Sequence, residues 1–133
     1  MQDKSMQIIK CNSSVCDVFD TLDIATTIRY NEIIRQVAAA FLFGFINAFA
    51  INWEISPPQV HGIMLSLLVN KFQYSNQQAV DFSLTLIEAT KKVNAPTINA
   101  IIHHGIDSYY QYQSNDLDML KKNFNNVITI ITG

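Results

Sequence analysis

The sequence predicts an all-α fold, a compact single-domain bundle of about six helices around one central hydrophobic helix. Three observations support this class. The 133 residues suit one domain, prolines and capping residues divide the chain into helix-length segments, and apolar residues recur three and four positions apart. Hydrophobic residues make up 49% of the chain and charged residues 15%, which favours a folded domain over a disordered one. Residues 1–133 are therefore expected to form one domain.

The first two predicted helices lie in the N-terminal half. Ser13 or Ser14 can cap a first helix that runs to about Arg29. The second runs from Asn31 to about Trp53 and is apolar along two adjoining rows, so neighbouring helices should surround it. The rows are Ile33, Val37, Phe41, Phe45 and Phe49, and Ile34, Ala38, Leu42, Ile46 and Ala50. The longest uninterrupted apolar run, residues 37–46, is shorter than the roughly 20 residues that a bilayer requires, which predicts a core helix.

Capping signals define the next two helices. Ser56, Pro57 and Gln59 predict the start of a third helix that runs to about Phe72, because Ser and Gln can form a capping box and Pro suits the first turn. Ser75 and Gln78 repeat the box and predict a fourth helix to about Lys92. Residues 80–86 also alternate between apolar and polar types, as a half-buried strand does, but the signals at both ends favour a helix.

Two further helices complete the prediction. Asn94 and Pro96 mark a break, after which a fifth helix runs to about Gln113. Ser114, Asn115 or Asp116 is expected to cap the last helix. Residues 127–132 and part of residues 5–11 are rich in β-branched types, so a short pair of terminal strands is the main structural alternative.

Composition and motifs argue against several functions. Nine Lys and Arg against eleven Asp and Glu give a net charge of −2, which does not favour a nucleic-acid ligand. The four glycines form neither a phosphate-binding loop nor a dinucleotide fingerprint, and no Gly-x-Ser-x-Gly motif is present. We therefore expect no cofactor and no enzymatic activity. The charged N-terminal residues do not form a secretory signal, which predicts a cytoplasmic protein without a membrane partner. Cys11 and Cys16 are expected to be small buried apolar residues.

A histidine pair is the main candidate for an enzymatic alternative. His103 and Asp107 are four residues apart and would share one side of a helix with His104 beside them. A catalytic zinc needs three protein ligands, and the remaining histidine, His61, lies on another predicted helix. We expect no metal site, and a small His-based or metal-dependent enzyme is the alternative.

The candidate binding site consists of two acidic segments. Residues 107–118, DSYYQYQSNDLD, contain no base, and their acids and tyrosines are Asp107, Tyr109, Tyr110, Tyr112, Asp116 and Asp118. A second row, Asp17, Asp20 and Asp23, lies in the first predicted helix. Carboxylates steer a basic protein partner, and tyrosines supply rigid contact area at interfaces. Ordinary polar helix surfaces with half-buried tyrosines are the alternative.

A small acidic helical chain with these two segments and no catalytic motif resembles the bacterial immunity proteins of contact-dependent inhibition and polymorphic toxin systems. The resemblance implies stoichiometric occlusion of a basic toxin domain, commonly a nuclease. In that case Asp107, Asp116 and Asp118 would pair with Lys or Arg of the toxin, and the three tyrosines would form the desolvated centre. A secretion or assembly chaperone whose apolar groove binds a partner helix is another alternative.

Overall fold

The computed structural model describes residues 4–91 and 95–133, and these residues form seven helices. The helices are α1 (Ser5–Leu22), α2 (Thr27–Tyr30), α3 (Glu32–Trp53), α4 (Pro57–Asn70), α5 (Asn76–Ala89), α6 (Pro96–Gln113) and α7 (Leu117–Thr132). The predicted all-α class is confirmed. Residues 5–11 and 127–132 belong to α1 and α7, so the alternative of terminal strands is wrong.

The first predicted helix differs from α1 at both ends. It begins at Ser5 rather than after Ser13 or Ser14, because Cys11 and Val15 continue the buried stripe across these positions. Helix α1 ends at Leu22, where Asp23 adopts a left-handed conformation with φ 54°. Asp tolerates this conformation better than most residues. The expected continuation to Arg29 is replaced by the separate single turn of α2, which buries Ile28.

Helix α3 is the centre of the core, as predicted. Every residue from position 37 to position 50 is buried except Asn47, which is half-buried. Helices α1, α2, α4, α6 and α7 all pack on it. By length and composition α3 could cross a membrane, but 72% of its most apolar window is buried by the rest of the fold. Its phenylalanines, Phe41, Phe43, Phe45 and Phe49, are core residues.

The contact between α3 and α6 is the largest in the bundle, and two glycines make it close. A Cβ atom on Gly44 would collide with the carbonyl oxygen of Ile102, and one on Gly105 would collide with that of Phe41. Helix backbones can approach this closely only where side chains are absent. The Gly44–Gly105 crossing therefore sets the position of α6, which carries much of the predicted site.

After the first helix, the predicted caps agree with the observed helix starts. Both reciprocal bonds of the capping box are present at Ser56 with Gln59 and at Ser75 with Gln78. Asn31 caps α3 by accepting from the Ile34 amide. The fourth predicted helix corresponds to α5, which ends at Ala89 rather than near Lys92. Lys92 and Asn94 lie outside the described residues.

Candidate functional site

The two acidic segments meet at a side-chain contact between the C-terminal part of α6 and α1. The Tyr112 hydroxyl donates a hydrogen bond to Asp17 Oδ2 at 3.1 Å, and the Tyr112 ring packs edge-on against Phe45 with centroids 5.5 Å apart. Burial raises the pKa of Tyr112, a hydrogen bond with Ser14 lowers it, and the Asp17 carboxylate raises it further. Tyr112 therefore stays protonated at neutral pH and can donate to Asp17.

All three acids of the α1 row reach solvent. Asp17 and Asp20 are exposed and three residues apart, so they lie on neighbouring positions of one side of α1. Asp23 is also exposed, at the left-handed C-cap of the helix. The fold thus places three carboxylates at the C-terminal half and end of α1.

The acids around the α6–α7 turn are exposed as well, but they have different local roles. Asp116 caps α7 by accepting from the Met119 amide at 3.1 Å, and Asp118 lies in the first turn of that helix. Carboxylates are favourable at a helix N-terminus, so both positions also have a structural reason to be acidic. Asp107 is on the side of α6 away from the core and well around the helix from Tyr112, so the fold does not place it beside Asp17.

The three tyrosines occupy different environments. Tyr109 is only 4% exposed, packs edge-on against Phe45 and Phe49, and accepts a hydrogen bond from Trp53 Nε1 at 3.2 Å. It therefore belongs to the core and not to the expected contact surface, because its position on α6 faces α3. Tyr110 is 52% exposed and its hydroxyl accepts from Asn52 at 3.3 Å. The exposure of Tyr112 is intermediate between that of Tyr109 and that of Tyr110.

We use the term acid-bearing surface for the exposed or half-exposed members of the two segments. Its members are Asp17, Asp20, Asp23, Asp107, Tyr110, Tyr112, Asp116 and Asp118. The bond between Tyr112 and Asp17 is the observed link between its two halves.

The described histidines do not form the metal cluster that the enzymatic alternative would require. His103 and His104 are exposed, and His104 Nδ1 lies 3.2 Å from Asn123 Oδ1 on α7. Asn123 also donates to the His104 carbonyl oxygen, so the pair joins α6 to α7. His61 lies on α4 in a groove beside Phe43. Within residues 4–91 and 95–133, no group of three His, Cys, Asp or Glu is arranged to hold a metal.

Sequence reasoning did not identify a basic cleft formed by α2, the start of α3 and the turn after α4. Arg29, Arg35 and Lys71 line it. Lys71 is 36 residues from Arg35 in the sequence, so no local pattern indicated that the three cations share a cleft.

Exposed carboxylates beside tyrosines are features of surfaces that bind other proteins. The model of the family described as Immunity protein 48 matches residues 7–132. This match covers nearly the whole chain, and the chain belongs to that family. No curated protein and no solved structure matches the chain.

Proposed function

We propose that this chain is a cytoplasmic immunity protein that neutralises a basic toxin domain by stoichiometric occlusion and without catalysis. Membership of the Immunity protein 48 family supports the toxin-neutralising role. The observation that carries the binding mode is the bond from Tyr112 to Asp17, which joins two segments rich in exposed carboxylates. The resemblance to immunity proteins of polymorphic toxin systems favours a nuclease as the toxin.

The proposed mechanism has a long-range step and a contact step. Exposed carboxylates such as Asp20 and Asp118 attract Lys and Arg of the toxin and accelerate encounter. In the complex these carboxylates pair with cations that would otherwise hold substrate phosphate. Tyr110 and Tyr112 supply aromatic contact area, and Tyr109 packs edge-on against Tyr110 from the core.

The structural roles of the acids decide which variants test this proposal. Asp116 caps α7, Asp23 ends α1 and Asp17 binds Tyr112, so their substitution would also disturb the fold. Asp20 and Asp118 are exposed, and neither side chain has a hydrogen-bond or ion-pair partner among the described residues. Asp118 lies in the first turn of α7, so its reversal to Lys also removes a favourable interaction with the helix dipole, and the variant is checked for helical content. Asp81 is exposed on α5 outside both acidic segments, so Asp81→Lys is the control for one charge reversal, although its carboxylate accepts a hydrogen bond from Gln77.

The experiment measures association with an inactivated form of the cognate toxin domain. We expect Asp20→Lys with Asp118→Lys to slow association by about tenfold or more at low salt, and the difference to shrink at high salt. Asp81→Lys should leave the rate nearly unchanged. An association rate that responds neither to the double reversal nor to salt would overturn the steering mechanism.

A separate variant tests the position of Asp107. Because Asp107 lies well around α6 from Tyr112, its reversal to Lys reports whether the interface extends over the outer side of α6. Slower association would place that side within the proposed interface. An unchanged rate would restrict the interface to the α1 side and the α6–α7 turn.

A further inference from the structure

The basic cleft is an open cavity of about 580 Å³. Its lining includes Arg29, Arg35 and Lys71, the exposed Tyr30 and the buried Phe72, and no acidic residue. Three of the nine Lys and Arg of an acidic chain therefore converge on one concavity. Cavities of this size suit small-molecule ligands.

Arg35 is held in a fixed position at the cleft. Its guanidinium carbon lies 3.6 Å from the centroid of the Tyr74 ring, and Nη1 donates to Glu32 at 3.1 Å. Its Nε is buried and has no hydrogen-bond partner among the described residues. A buried N–H group without an acceptor carries an uncompensated desolvation cost.

The positive charge of the cleft is only partly neutralised. Among the described residues, Glu32 is the only carboxylate in an ion pair with these three cations, and neither Arg29 nor Lys71 has such a partner. Three cations against one contacting carboxylate leave a local excess of positive charge. Cations that share a concavity favour the binding of an anion, and Arg presents donors that match carboxylate and phosphate oxygens.

We propose that this cleft is a binding site for a small oxyanion ligand carrying phosphate or carboxylate groups. Arg29 and Lys71 supply the unpaired charge, and Arg35 supplies oriented donors on the Tyr74 ring. Tyr30, with 84% of its surface exposed, offers a hydroxyl donor and an aromatic face at the edge of the cleft. The cleft carries the opposite charge to the acid-bearing surface, so it would not attract the same cationic groups.

The test uses pyrophosphate and citrate as probes for the phosphate and the carboxylate source. Each is titrated into the ¹⁵N-labelled protein at low salt while amide chemical shifts are followed. We expect saturable shifts at residues 28–30 and 71–73, the two segments that line the cleft. Saturation with pyrophosphate alone supports a phosphate ligand, saturation with citrate alone supports a carboxylate ligand, and saturation with both supports the shared chemistry.

Matched variants separate the cleft from general charge attraction. Arg29→Gln with Lys71→Gln removes two unpaired cations and should weaken binding by about tenfold or more. Lys121→Gln with Lys122→Gln removes the same charge from the exposed side of α7 and should leave binding nearly unchanged. Arg35→Lys keeps the charge but loses the planar donors, and we expect it to weaken binding as well.

Two results would overturn the proposal: the absence of saturable shifts with either probe, or equal weakening by the two double Gln variants. Circular dichroism of each variant checks that the fold is retained. No toxin is used, so the outcome is independent of the proposed immunity function.

Discussion

Tyr112 and Asp17 are 95 residues apart in the sequence, and a hydrogen bond of 3.1 Å joins them in the fold. Tyr112 also packs against Phe45, so this contact connects α1, α3 and α6. It brings together two acidic segments that the sequence identified separately. The binding surface of the proposed complex therefore depends on how α1 and α6 each pack on α3.

Removal of this hydrogen bond should cost a modest amount of stability. We expect Tyr112→Phe to lower the free energy of unfolding by about 1 kcal/mol, because the acceptor is charged but exposed. Urea denaturation measures the loss. In a double-mutant cycle with Asp17→Ala, which removes the acceptor, a coupling energy near zero would show that the bond contributes nothing in solution.

The crossing of α3 and α6 should be intolerant of any side chain at its glycines. We expect Gly44→Ala or Gly105→Ala to destabilise the protein by about 3 kcal/mol or more, since each Cβ would collide with a carbonyl oxygen of the other helix. Gly62 is the matched control, because nothing lies within 4 Å of the Cβ position there. Gly62→Ala should stabilise α4 by about 0.5–1 kcal/mol. Similar thermal midpoints for all three variants would contradict the close crossing.

Tyr74 carries a buried hydroxyl that has no hydrogen-bond partner among the described residues. Phe at this position would keep the ring beneath Arg35 and remove the unsatisfied oxygen. We therefore expect Tyr74→Phe to leave the unfolding free energy at pH 7 unchanged or to increase it by up to about 1–3 kcal/mol. A clear loss of stability would indicate that the hydroxyl has a partner in solution.

The same substitution should change the response to alkaline pH. Burial raises the pKa of Tyr74 from 10.0 to about 12, with Arg35 lowering it and Glu32 raising it. Because the unfolded state loses its proton first, the contribution of this group to stability is complete below pH 10 and is lost between pH 10 and about 12. The shift corresponds to about 2–3 kcal/mol. Tyr74→Phe should therefore lose less stability than the parent over this pH range. If the unfolding free energies of the two proteins fall in parallel with pH, the raised pKa of Tyr74 is contradicted.

The two cysteines should differ in reactivity. Cys11 is fully buried, and desolvation raises the pKa of its thiol to about 12, whereas Cys16 is half-buried. The thiolate is the reactive form, so an alkylating agent at mildly alkaline pH should modify Cys16 first and Cys11 only after unfolding. Mass spectrometry of the intact and digested protein measures the order. Equal alkylation rates of the two cysteines in the native protein would show that the buried side of α1 is readily exposed to solvent by local unfolding.

We expect neither His103 nor His104 to be required for activity, and only His104 to contribute to stability. His104→Ala removes the contact with Asn123 and should lower the unfolding free energy by about 1 kcal/mol. We expect His103→Ala to have little effect on stability, and neither variant to prevent toxin neutralisation. A stoichiometric metal in the purified protein, lost together with neutralisation in either variant, would favour the enzymatic alternative.

Local sequence signals predicted most helix starts correctly because capping is a local interaction. The bonds of Ser56 with Gln59 and of Ser75 with Gln78 span only three residues. The first helix was mispredicted because Ser13 and Ser14 can also occupy a helix interior when the helix packs on a core. The two acidic segments were also visible in the sequence, as runs without a basic residue.

The sequence alone determined the helical class, the central position of α3 and the segments that carry the carboxylates, because periodicity and capping act over one or two turns. Only the tertiary structure decided that Tyr109 is buried against α3, that Tyr112 reaches Asp17, and that three separated cations share a cleft. These relationships depend on how α6 crosses α3 at Gly44 and on how α4 packs beside α2 and α3. Contacts between helices distant in the chain follow from the packing of whole surfaces, which no local pattern encodes.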